Sequence, residues 1–225
     1  MDRGELLDEL VSRIASVRRD HPVRVAIDGV DASGKTILAD ELVAPLQGTG
    51  RSVIRGSIDG FHNPAVTRKR RGVMSPEGYF RDSFDYASLV RALLGPLGPG
   101  GTRRYRRAIF DFRSDSPVEV PLEEAAPDAV LLFDGVFLLR PELREHWDFS
   151  VFVRADFEIA VKRAEERDLE LFGDISNLRL HYRQRYVPGQ RLYLSEAQPE
   201  RWASVVIDNN DPAQPCLSSR PLGRP

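Results

Sequence analysis

Two glycines with four residues between them, Gly29 and Gly34, are followed at once by Lys35 and Thr36. Glycine lets a backbone approach an oxyanion closely and turn several peptide N–H groups toward it. A lysine beside such a loop supplies a point charge, and a threonine hydroxyl is a ligand for a hard cation. An apolar run (Val23, Val25, Ile27) precedes the loop, and a helical pattern (Ile37, Leu38, Leu42, Val43) follows it. That strand-loop-helix setting makes Gly29, Val30, Asp31, Ala32, Ser33, Gly34, Lys35 and Thr36 a phosphate cradle of the P-loop type, with the positive end of a helix dipole at its floor. Lys35 is expected on the β and γ phosphates of a nucleotide and Thr36 on Mg²⁺.

Carboxylates at strand ends come next. Asp59 closes an apolar stretch (Val53, Ile54, Ile58), and Asp134 closes the continuous run 129–133. In an open α/β sheet ligands gather beyond the carboxyl ends of the strands, so both acids are expected beside the cradle. Asp59 reads as the base for an acceptor hydroxyl, and Asp134 as the second Mg²⁺ ligand. The competing reading of each is a turn-forming aspartate before glycine. Arg163 and Arg167, one helical turn apart, lead into a glycine-containing stretch and are expected to reach over the phosphates as part of a lid, although exposed helix arginines are common. None of the three lysines (35, 69, 162) follows an asparagine, so the Asn-Lys-x-Asp guanine reader is missing, which argues against a GTPase.

These groups need a frame, and the apolar periodicity supplies one. Helices are expected over 5–19, 35–46, 84–94, 156–167 and 175–186, the last broken at Val187-Pro188-Gly189. Strands are expected over 23–27, 51–59, 129–133, 149–153 and 204–207, with a hairpin or edge strand within 103–115 and a surface loop over 64–79. The alternation predicts an α/β fold of the P-loop NTPase kind, a doubly wound, mostly parallel sheet with helices on both faces and a short lid. One domain over 1–210 is expected, with an acceptor-side insert at 60–115, the lid at 167–175 and an unstructured tail at 211–225.

A net charge of −2 argues against nucleic-acid or anionic-membrane partners, and no apolar run is long enough to span a bilayer. The lone Cys216 excludes an internal disulfide or a cysteine metal site and points to a reducing cytoplasm. The partner expected is a small-molecule acceptor; self-association stays open.

At this level the chain resembles the uridine kinase and phosphoribulokinase-like family of P-loop kinases, which also includes a pantothenate kinase type. The resemblance rests on GVDASGKT (29–36), SIDGFHNP (57–64), YFRDSFD (79–85), IFDFRSD (109–115), LLFDGVFLL (131–139), the pair Arg167-Asp168 and RWASVVIDN (201–209). It implies ATP- and Mg²⁺-dependent phosphorylation of a primary hydroxyl, such as the 5′-OH of a nucleoside. It further implies Asp59 as base, Asp82 as a ribose or polyol contact, Phe61 and His62 on the acceptor side, and Phe110 and Asp115 near a nucleobase. Two departures stand out. Uridine kinases tend to carry Tyr-Asp-Phe followed shortly by His where this chain has Phe110-Asp111-Phe112 and then Asp115, and the strand usually ending Glu-Gly here ends Asp134-Gly135. Basic clusters at 68–71 and 103–107 flank the same side and suggest an anionic acceptor, as a sugar phosphate is. A nucleoside such as uridine leads the reading; a sugar, sugar phosphate or pantothenate-like alcohol is the alternative, and a non-catalytic nucleotide-binding regulator is the alternative of another class.

Overall fold

Side-chain alternation along the central strands decides the architecture. In the computed structural model, which describes residues 1–219, strand β1 (Val23–Gly29) is buried along its whole length. Its odd-numbered residues Val23, Val25 and Ile27 point to one face, where they meet Val130, Leu132, Val151 and Val153 of its neighbours. Helices α1 (Arg3–Ser16) and α2 (Lys35–Glu41) cover that face with Leu6, Leu10, Ile14 and Leu38. The other face, carrying Ala26, Leu131, Phe133 and Phe152, is covered by α3 (Pro76–Asp82) and, further along the chain, by the helix Val187–Ala197. A sheet sandwiched in this way must have apolar side chains in both registers, which is why its strands read as continuous rather than alternating runs. Each of the fully buried Leu and Ile side chains contributes about 1.5–3 kcal/mol.

The remaining strands are β2 (Val53–Ser57), β3 (Val130–Gly135), β4 (Phe149–Arg154), β5 (Val205–Asp208) and β6 (Cys216–Ser219), in the spatial order β6-β5-β4-β1-β3-β2. All neighbouring pairs are parallel except β5 with β6. Asp28 lies opposite Gly135, and Ser57 lies opposite Asp134. That register brings the P-loop, the end of β3 and the residues after β2 to one edge of the sheet.

Several expectations change. The stretch 64–79 is not all loop: Ala65–Arg68 forms a helical turn, and α3 begins at Pro76 behind Ser75, whose hydroxyl accepts from the Gly78 N–H. The helix over 35–46 is divided at Leu42 into α2 and Val43–Gly48. Two short ribbons replace the single hairpin, Arg104–Tyr105 with Glu123–Glu124 and Phe110–Asp111 with Ser116–Pro117, so the partners lie beyond 115.

Pro188 does not stop the helical path. Helices α4 (Phe157–Arg167) and α5 (Ile175–His181) are followed by a π turn, Tyr182–Tyr186, and then by α6 (Val187–Ala197). The Val187 N–H donates to the Tyr182 carbonyl across this wide turn, and Pro188 falls in the first turn of α6, where its missing N–H costs nothing. The stretch 167–175 is a single helical turn, Leu169–Phe172, between α4 and α5. Within the expected free tail, Cys216–Ser219 is instead an antiparallel edge strand against β5, because β5 would otherwise present an unpaired backbone edge. Residues 220–225 lie outside the described residues.

Candidate active site

The loop between β1 and α2 is built to admit nothing larger than glycine at two points. Gly34 has φ 95°, and a Cβ there would stand 2.7 Å from Asn209 Nδ2; a Cβ on Gly29 would stand 2.2 Å from the Val153 carbonyl oxygen. Neighbours pin the loop from outside: Asn209 Nδ2 donates to the Ser33 carbonyl at 2.7 Å, and the Asp31 N–H donates to Gln190 Oε1 at 2.7 Å. Val30 and Ala32 are buried, so they contribute backbone only. Inside, Lys35 Nζ donates to the Val30 carbonyl at 2.6 Å and lies buried across the loop. Burial lowers its pKa, while the nearby Asp31, Asp28 and Asp134 hold it toward the charged form. Ser33 Oγ is buried without a hydrogen-bond partner. An orphaned hydroxyl and a strapped lysine in a glycine-edged cradle suit a triphosphate, whose oxygens would satisfy both.

Thr36 Oγ1 donates to Asp134 Oδ2 at 2.7 Å. The other oxygen, Asp134 Oδ1, accepts from Arg55 Nη2 at 3.0 Å, and Arg55 is itself held by Asp40 and the Leu132 carbonyl. Among the described residues no group of three or more His, Cys, Asp or Glu forms a metal-binding cluster. A hydroxyl and one carboxylate nevertheless fit Mg²⁺, which keeps several waters and takes few protein ligands beside phosphates.

Asp59 follows β2 in the 3₁₀ turn Ile58–Phe61. With three residues per turn, Ile58 and Phe61 share the inward side, and Asp59 is left facing the opening. Its carboxyl is pushed up to about 6, first by desolvation from the protein around it and then by Asp134 and Asp31, against Lys35 and Arg167. The acid, the lysine, the Mg²⁺-type carboxylate and the lid arginine therefore share one field. Phe61 corrects the sequence reading: it is fully buried and packs on Phe133 at 6.2 Å between ring centroids, so it belongs to the core and lines no acceptor pocket.

His62 lies between Phe84 and Phe112, at 4.5 and 4.8 Å, with Nδ1 3.0 Å from the Asp59 carbonyl. Burial pushes its pKa down to about 4, so it is neutral at pH 7. Asp82 is closed off rather than offered to a ligand: Arg70 and Arg71 take its two oxygens. Asp115 Oδ1 accepts from the Ala65 N–H and from Arg68 Nη2, both at 2.8 Å, which ties the second ribbon to the turn Ala65–Arg68. Phe110 is buried in that ribbon, and the aromatic beside His62 is Phe112.

On the lid side, Arg167 grips Asp168 through Nε and Nη2, both at 2.7 Å, with Asp31 at 3.7 Å. The Tyr182 hydroxyl donates to Asp31 and Asp168, 3.4 Å each. Arg163 does something different. Its Nη2 donates to the carbonyls of Asn209 and Asn210 at 2.9 Å, tying α4 to the loop after β5, and its Nη1 is buried without a partner.

Sequence reasoning missed several of these groups. Arg55 shows only as a charge inside a strand pattern. Asp28, fully buried, accepts from the Gly29 N–H at 2.7 Å, the Leu139 N–H at 3.0 Å and the Tyr193 hydroxyl, and burial pushes its carboxyl up to about 6. Gln190 and Asn209 support the cradle from more than 150 residues away along the chain; Asn209 closes the stretch RWASVVIDN, but nothing local ties either residue to the cradle.

No family model matches the chain. A uridine-cytidine kinase B from Dictyostelium discoideum is 31% identical over 150 residues, which are 66% of this chain and 59% of that protein. A pantothenate kinase from Limosilactobacillus fermentum is 27% identical over 200 residues, 84% of this chain and 63% of that one. The chain thus spans less than two thirds of the length of either relative. Among solved structures, that of a possible uridine kinase from Bacillus stearothermophilus matches with a TM-score of 0.69 at 22% identity, covering 90% of this chain and 97% of that one. Sheet order and cradle define a P-loop α/β fold, and the chain is similar to uridine kinases and a pantothenate kinase. Among the described residues no helix is long and apolar enough to cross a membrane.

Proposed function

We propose that the protein transfers the γ-phosphoryl group of ATP to a hydroxyl of a small metabolite in the cytoplasm. The observation that supports this most directly is the glycine-edged cradle with Lys35 strapped across it and Thr36 hydrogen-bonded to Asp134 at 2.7 Å, at the sheet edge where the turn carrying Asp59 follows β2. The acceptor oxygen attacks the γ-phosphorus, its proton passes to the Asp59 carboxylate, and the bond from phosphorus to the bridging oxygen breaks to release ADP. Asp59 is ionised above about pH 6 and so ready to take that proton. Lys35, freed from the Val30 carbonyl, and Arg167, freed from Asp168, neutralise the moving charge. Thr36 and Asp134 would hold Mg²⁺, which screens phosphate charge when bound.

A nucleoside such as uridine is the acceptor that the names of several relatives suggest. A specific observation favours the second reading, an alcohol of the pantothenate or sugar phosphate kind: Asp115 and Asp82 are both spent on arginines and offer no free edge to a base or ribose.

An ATP-coupled assay over nucleosides, pantothenate and pentose phosphates tests the reading. Acceptor-dependent ADP release that Asp59→Asn removes, with ATP binding retained, is the expected result. ATP binding with no acceptor-dependent release would instead make the chain a nucleotide-binding regulator.

A further inference from the structure

One buried cation plays no part in the machinery just described. Arg185, in the π turn between α5 and α6, is 8% exposed. Its Nη1 donates to the Val73 carbonyl, and its guanidinium lies 5.8 Å and 6.0 Å from the ring centroids of Tyr79 and Tyr186. Among the described residues no carboxylate pairs with it. The acids of the region are engaged elsewhere, Asp115 by Arg68, Asp82 by Arg70 and Arg71, and Glu165 by Arg179. The charged side chain that Arg185 does feel is another cation, Arg68. Buried guanidinium groups are ordinarily paired, because desolvating an unpaired charge is costly.

Its position gives that cost a use. Arg185 packs on Tyr79 and Tyr186; the Tyr79 hydroxyl feels the carboxylates of Asp59 and Asp31, and that of Tyr186 feels Asp31 and Asp168. Tyr79 thus touches the guanidinium and lies within electrostatic reach of Asp59.

We propose that Arg185 is an anion subsite of the acceptor pocket, so that the acceptor is an alcohol that also bears a carboxylate or phosphate group. This assignment rests on the phosphotransfer reading for what happens at the other end of that molecule. The acidic group sits on Arg185, completing its hydrogen bonds, and Tyr79 directs the hydroxyl toward Asp59. A neutral nucleoside would leave the guanidinium uncompensated.

Two measurements on the wild type and on Arg185→Gln and Arg185→Lys test it. Calorimetric binding without nucleotide uses uridine as the neutral probe, pantothenate and glycerate as carboxylates, and ribose 5-phosphate as the phosphate; coupled kinetics use the same probes with ATP. Expected are binding of at least one acidic alcohol about tenfold or more tighter than uridine, and a rise of about 10–100-fold in its KM in Arg185→Gln. KM for ATP stays within about twofold, and Arg185→Lys recovers part of the loss. Which acidic probe responds separates carboxylate from phosphate. Equal or tighter binding of uridine by the wild type overturns the proposal, as does an Arg185→Gln variant that weakens every acceptor and ATP alike. A binding contrast without turnover keeps the subsite and removes the phosphotransfer reading; turnover with uridine preferred does the reverse.

Discussion

Thr36 Oγ1 and Asp134 Oδ2 are 2.7 Å apart although 98 residues separate them in the chain. The contact joins the first turn of α2 to the last residues of β3, and it couples the phosphate cradle to the carboxylate that would share Mg²⁺ with it. Arg55 on the other oxygen fixes the rotation of that carboxylate.

Arg55 should therefore act through Asp134. Arg55→Gln is expected to raise the Mg²⁺ concentration for half-maximal turnover by about 10–100-fold, as loss of an outer partner of a metal ligand does. Titrating Mg²⁺ at saturating ATP measures this, and an unchanged requirement would show that Asp134 needs no such support.

The pH dependence of turnover follows from Asp59. The base works ionised, and its carboxyl is pushed up to about 6, so kcat/KM should rise with pH through about 6 and level off above it. Asp59→Asn should lower kcat by about 10²–10⁴-fold and abolish that limb. A profile whose acid limb survives in the variant would assign it to another group.

Lys35 should matter to the transition state more than to the fold. Lys35→Ala is expected to cut phosphoryl transfer by about 10²–10³-fold while the chain stays folded. Stopped assays at saturating ATP, with circular dichroism for the fold, separate the two effects.

At Gly34, both backbone and space demand glycine: φ is 95°, and a Cβ would meet Asn209 Nδ2 at 2.7 Å. Gly34→Ala should lower stability by about 1–3 kcal/mol and abolish nucleotide binding. Removing the clash in Gly34→Ala/Asn209→Ala should restore little, since the backbone strain and the lost Asn209 bond to Ser33 remain; fluorescence titration with a nucleotide analogue would reveal a recovery.

Asp28 carries a pH-dependent share of stability. Its pKa is raised from 3.8 to about 6 on folding, so the folded chain binds the proton more tightly than the unfolded one. That contribution is fully present below about pH 4 and is lost as pH rises through about 6. The stability of the wild type relative to Asp28→Asn should accordingly fall between pH 5 and pH 7. Urea unfolding at both pH values measures it, and a constant difference would refute the assignment.

Residues 29–36 were legible because a phosphate cradle is a local object: glycines, lysine and threonine in one short loop set its backbone and donors with little help from elsewhere. The strands Val23–Gly29 and Val130–Gly135, the latter holding Asp134, were legible too, since a strand covered on both faces must be a nearly continuous apolar run. Which way the residues after β2 face was not legible. A 3₁₀ turn sends Phe61 into the core and leaves Asp59 at the opening, a difference of a few tens of degrees per residue that no apolar pattern encodes. Pairing also lay beyond the sequence. Arg163 ties two carbonyls, Arg68 and Arg70 are spent on acids, and Arg185 is buried without one among the described residues, although all four look alike in the chain. Motif chemistry is written in neighbouring residues, whereas the partner of a charged side chain depends on where distant segments cross, and that is decided only when the sheet and its covering helices close.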